Sequence, residues 1–200
     1  MSTRQVRRIG DESGFTLVEL LVVMTLMLIV GGVVVNGIVS GLRASERGRA
    51  RVEALTDLER AAERMARDLR FADPVDAASA TQVIVNVLRD DAGVLVRHRV
   101  TFTVDAATGT ITETRAIYDP PLSATPTSTT TREVIGDLDP AATVFAFGKA
   151  DGQPWDPVPP DPDTLSDLAE IRLDLRRELP DQDPIEVETS VFVRNVGDGR

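Results

Sequence analysis

Glu19 places a carboxylate inside the apolar stretch SGFTLVELLVVMTLMLIVGGVVV, Ser13–Val35. An ionised carboxylate in hydrocarbon costs on the order of a few kcal/mol unless it is paired, and such groups usually mark function. No cation lies within the stretch. Upstream stand Arg4, Arg7 and Arg8, partly offset by Asp11 and Glu12, and this arm runs up to Gly14. A secretory signal has a shorter apolar region followed by a small-residue cleavage site. Here the glycine precedes the apolar run. Hydrolysis of the peptide bond after Gly14 would release the basic arm and leave the apolar segment on the mature chain.

Other donor groups are weaker candidates. Asp151, Asp156, Asp161, Asp163 and Asp167 lie in DGQPWDPVPPDPDTLSD. Calcium takes several oxygen ligands from a tight loop, but this segment lacks the spacing and turn glycine of an EF-hand. A solvated acidic loop without metal is the favoured reading. His98 is the chain's one histidine, and there is no cysteine to complete a metal site with it. It shares a strand face with Val94, Val96, Val100, Phe102 and Val104, so a hydrogen-bonded or strand-edge imidazole is expected. No nucleophile elbow, phosphate loop or dinucleotide fingerprint occurs; no catalytic residue, enzyme activity or cofactor is expected. Arg97–His98–Arg99 and Arg172, Arg176, Arg177 are small basic clusters without interleaved aromatics, which reads as alternating strand surface.

These residues must be held by a few elements. Leu20–Leu42 is a run of 23 residues without charge. As a helix it is about 35 Å long, enough for a hydrocarbon core of about 30 Å. Arginine ahead of it keeps the extreme N-terminus cytoplasmic and puts the rest of the chain outside. Gly37 and Gly41 fall four apart on one face and permit close helix approach, while Gly31 and Gly32 weaken the helix locally. From Arg43 the chain turns charged without a break until Asp73–Pro74. Val52, Leu55, Leu58, Ala62, Met65 and Leu69 form a stripe at helical spacing, so one helix is expected from about Phe15 to about Arg70.

Beyond Pro74 the period changes to two. Strands are expected at Thr81–Leu88, Val94–Val104, Thr110–Tyr118, Ala142–Phe147, Glu170–Arg176 and Ile185–Arg194, with turns at RDDAG and DAATG. DPPLSATPTSTTT, Asp119–Thr131, reads as a polar loop. The five prolines of the 151–167 segment argue against regular structure there.

Composition narrows the partners. A net charge of −10 over 200 residues and a pI near 4.6 argue against broad electrostatic binding, and no nucleic-acid partner is expected. The length allows an anchor plus one ordinary domain.

GFTLVELLVVMTLMLIV, Gly14–Val30, resembles the N-terminal signal of type IV prepilins and type II secretion pseudopilins: glycine before the cut, phenylalanine first after it, glutamate fifth, then unbroken apolar residues. The resemblance implies cleavage between Gly14 and Phe15 by a prepilin peptidase that also methylates the Phe15 amine. It gives Glu19 a partner. Cleavage creates an amine with an ordinary pKa of about 8, and Glu19 of one subunit can meet the Phe15 amine of a neighbour. A pair within one chain is open too, because residues i and i+4 share a helix face. LERAAERMARDLRFA, Leu58–Ala72, and the C-terminal strand pair ending in VFVRN resemble larger minor pilins and J-type pseudopilins.

The resemblance and the residue patterns together give an α+β, pilin-like chain. A leader, 1–14, precedes a transmembrane and assembly helix, 15–42. An amphipathic half of the same helix, 43–72, then packs on an antiparallel β domain, 73–200. The implied partners are the peptidase and methyltransferase, other pilin or pseudopilin subunits and the membrane. A single-pass anchored extracytoplasmic binding protein is the alternative.

Overall fold

The computed structural model describes residues 16–91, 93–149, 151–155 and 162–193. The architecture is α+β: one long helix, α1, Leu17–Arg70, followed by two antiparallel sheets. Its contacts divide the chain into a unit that ends at Arg49 and a second, compact unit that starts at Ala50.

In the first unit every described residue is exposed helix or its cap, including the large apolar side chains from Leu17 to Leu42. The helix passes through Gly31 and Gly32 without interruption. Two glycines cost about 2 kcal/mol against alanine, which the continuous hydrogen-bond ladder around them absorbs in the single chain.

In the second unit, residues 50–70 of α1 bury one stripe: Ala54, Leu58, Ala61, Ala62, Met65, Ala66 and Leu69. Leu58, Ala62, Met65 and Leu69 of the expected stripe are among them, but its first two members are not. Val52 and Leu55 are exposed, and Ala54, Ala61 and Ala66 take the inner positions. Alanine has no bulk beyond Cβ, so Leu58, Met65 and Leu69 are the large side chains that α1 adds to the core. Proline disfavours a helical residue before it, and α1 ends at Arg70, three residues short of Asp73–Pro74.

The first sheet has five strands in the order β1 (Val75–Ser79), β2 (Gln82–Asp91), β3 (Val94–Asp105), β4 (Thr110–Tyr118) and β5 (Ser128–Ile135), each pairing antiparallel with the next. The second has three: β6 (Phe145–Lys149), β7 (Leu168–Leu179) and β8 (Gln182–Phe192). Alternate residues of the strands face inward. Val83, Val85, Val100, Phe102 and Ile111 from one sheet join Phe145, Ile171, Leu173, Leu175 and Val191 from the other in one core with the helix stripe.

Several sequence expectations need correction. β1 was not expected; it follows Pro74 and is short. Asp119–Thr131 is not loop throughout, because Ser128–Thr131 begin β5, an edge strand whose residues up to Glu133 are exposed. RDDAG is not wholly turn. β2 runs on to Asp91, since Arg89 pairs with Val96 and its guanidinium reaches Asp68. The short strand starts at Phe145 rather than Ala142, whose N–H closes a turn onto Asp139 O at 3.1 Å. The proline-rich segment ends in a 3-10 turn, Pro162–Asp167. Arg194, the expected end of the last strand, lies outside the described residues.

His98 is neither hydrogen-bonded nor at an edge. It sits in the central strand β3 between Val87 and Ile117. It is 7% exposed, and neither ring nitrogen has a hydrogen-bond partner. Its strand partners Val87 and Ile117 are apolar, and the guanidiniums of Arg89 and Arg115 nearby can only donate.

One turn demands its glycine. Asp105–Gly109 joins β3 to β4, with Gly109 N–H on Asp105 O at 2.8 Å and Gly109 at φ +63°, where a Cβ would collide with the Leu138 carbonyl.

Candidate processing and assembly segment

The first helical turn is built by Thr16. Its Oγ1 accepts the Glu19 N–H at 3.3 Å, and its carbonyl accepts the Leu20 N–H at 3.2 Å. Thr16 is therefore the N-cap and Glu19 the third helical residue, the threonine-to-glutamate spacing of a capping box. A carboxylate in the first turn also faces the positive end of the helix dipole. The local sequence thus gives Glu19 a structural reason to stand near the helix start besides any partner on a neighbouring chain. The cap role of Thr16 was missed in the sequence, although Thr-x-x-Glu is its usual signal.

Gly14 and Phe15, the expected cleavage and methylation residues, lie outside the described residues. Gly37 and Gly41 are helical and exposed, and a Cβ at either would meet nothing within 4 Å. Nothing among the described residues uses their smallness.

The helix is long and apolar enough to cross a membrane, and none of its most apolar window is buried. A contiguous apolar surface of this size is unusual on a lone soluble protein and calls for lipid or partner helices. The family model for the prokaryotic N-terminal methylation motif matches residues 10–35.

The chain carries the prepilin-type signature.

That signature spans the Gly14–Phe15 bond, Glu19 and the first part of the exposed apolar helix. It supports a type IV pilin or pseudopilin precursor, anchored in a membrane by a single helix. Comparison with curated proteins and with solved structures found no match.

The aspartates weighed for calcium do not assemble into a site among the described residues, where no group of three His, Cys, Asp or Glu side chains converges. Asp151 Oδ1 instead accepts the Gln153 N–H at 3.0 Å and shapes a turn. Asp167 ends the 3-10 turn. Asp156, Asp161 and the Asp163 side chain lie outside the described residues.

The second unit brings together charges that are far apart in the sequence. Glu113 on β4 is 1% exposed, and Arg64 of α1, Arg115 of β4 and Arg132 of β5 all donate to it, at 3.2, 3.0 and 2.7 Å. Asp68 of α1 is 3% exposed and accepts from Arg89 at 2.7 Å and from Arg115. Arg115 therefore links the two carboxylates. Buried charges persist only where paired in this way. Sequence analysis gave neither Arg64 nor Asp68 a role. The available signal was Glu113 itself, a charged residue at an inward-facing position two after Ile111.

Proposed function

We propose that this chain is the precursor of a minor pilin or pseudopilin. Residues 1–14 form a cytoplasmic leader. A prepilin peptidase hydrolyses the Gly14–Phe15 bond, leaving a carboxylate on Gly14 and an amine on Phe15, and methyl transfer to that amine keeps it basic. The helix from Phe15 to Leu42 then stands in the cytoplasmic membrane, with the β unit extracytoplasmic, and leaves the bilayer to pack among other pilin helices in a pilus-like or secretion filament.

The observation that carries this reading is the methylation motif laid over a helix whose apolar window no described residue buries. Thr16 and Glu19 add a physical argument. The new amine would belong to the residue that precedes the N-cap Thr16 in the chain, and the positive end of a helix dipole disfavours a nearby cation. Glu19 offsets that cost, either within the chain or across to a neighbour. Gly37 and Gly41 offer a flat strip for close helix packing. A head-to-tail contact between copies or relatives builds an open filament.

The test is the intact mass of the membrane-extracted chain from cells with and without the peptidase. Loss of residues 1–14 plus the gain of one methyl group, only when the peptidase is present, supports the proposal. An anchored binding protein would show the same mass in both strains.

A further inference from the structure

Beside the two buried carboxylates, α1 and the first sheet leave a cleft of about 450 Å³ in the second unit. Its wall carries Arg64, Arg67, Arg89, Arg115 and Arg132, with Asp68 and His98. Counting Glu113 behind the wall, five guanidiniums face two carboxylates, an excess of three positive charges in a chain whose net charge is −10. Arg67 makes no ion pair among the described residues, and Arg64 Nη2 is buried without a hydrogen-bond partner. His98 lines the same cleft, more than nine-tenths buried, with both ring nitrogens unpaired. A buried polar group without a partner is costly, and here the unpaired donors lie together where positive charge is in surplus.

We propose that this cleft binds an oxoanion group of the phosphate class. Guanidinium forks match tetrahedral oxoanions, and hydrogen bonds between two ionised groups are the strong ones. A divalent phosphate neutralises more of the excess than a single carboxylate. The neutral imidazole keeps one N–H to donate to it. Burial, then the charges of Arg115 and Arg89, hold the His98 pKa below its usual 6.5, so the ring adds a donor without adding charge. The group can be free inorganic phosphate or the head of a phosphate ester, and a cleft of about 450 Å³ has room for both.

The experiment uses the full chain in detergent micelles. With one histidine in the sequence, isotope-labelled imidazole gives one site to follow. Inorganic phosphate, glycerol phosphate and glutarate are titrated at matched ionic strength against chloride. A saturable His98 shift with phosphate or its ester, but not with glutarate, is expected, and the stronger of the two names the source. Arg67→Gln leaves the Asp68 and Glu113 pairs intact and should weaken binding roughly tenfold. His98→Gln should reduce the rise in thermal midpoint that phosphate gives. No saturable shift, an equal response to glutarate, or unchanged affinity in Arg67→Gln overturns the proposal.

Discussion

Arg132 grips Glu113 with two nitrogens, Nη2 at 2.7 Å and Nε at 3.1 Å from Oε2, although the arginine side chain is 51% exposed and the glutamate 1%. The pair is lopsided: its cation can be solvated without it, and its anion cannot. Glu113→Ala should therefore cost about 3–5 kcal/mol, because it removes the ion-pair partner of Arg64 and leaves Arg115 with Asp68 alone. Arg132→Ala should cost about 1 kcal/mol or less, since Glu113 keeps two other guanidiniums. Urea denaturation of the detergent-extracted chain measures both.

His98 makes stability depend on pH. Burial, then the charges of Arg115 on β4 and Arg89 on β2, depress its pKa, and Asp91 on β2 and Asp68 on α1 pull weakly the other way. The unfolded chain takes up the proton near pH 6.5 and the folded chain only at lower pH. Stability should fall as pH drops below about 6.5 and level off below the folded pKa. His98→Leu should remove that part of the slope, read as the difference between the two proteins in a denaturation series across pH.

Asp174 has the opposite sign. Burial first, then the neighbouring charge of Glu186, raise its pKa; Glu188 adds to this, and Arg176 offsets part of it. Glu188 is its direct partner on β8. A raised carboxylate contributes stability below its unfolded pKa of 3.8 and loses it as pH climbs through the folded value. At pH 7 the charge is a liability. Asp174→Asn should stabilise the protein by about 0.5 kcal/mol there, with the gain shrinking in acid, as thermal midpoints at the two pH values will show.

Gly14 and Glu19 separate processing from assembly. Gly14→Ala should leave the precursor mass on the membrane-extracted chain even with the peptidase present. Glu19→Ala should be cut and methylated normally but reach sheared filaments only at background level. Filament incorporation equal to the unaltered chain would remove Glu19 from the assembly contact.

Much of this architecture is legible in residue order. β2, β3, β4, β7 and β8 announce themselves because each alternates buried Val, Ile, Leu or Phe with polar residues, and α1 because no proline interrupts it. β5 gave no such sign. STTTREVI lies at an edge with its first six residues exposed, so its strand character comes from pairing with β4, a long-range property. The helix stripe was legible in part for a related reason. Leu58, Ala62, Met65 and Leu69 are buried as expected, but Val52 and Leu55 are exposed while the small Ala54, Ala61 and Ala66, which draw the eye less, are buried. The arginine cluster was hidden more deeply. Asp68, Glu113 and Arg132 come from three separate elements, and only the sheet register brings them to one place. The signature at the N-terminus was the reverse case, wholly local and therefore readable without a fold.

The open space around Gly37 and Gly41, with the exposed side chains between Leu17 and Leu42, makes this segment a clean genetic target. Among the described residues, none of these side chains is buried, so substitutions there remove no core packing. Their phenotypes should be social: silent in the isolated subunit and visible only in company, in lipid or among other helices. A mutational map of this stretch would record the surroundings of the protein rather than its own folding.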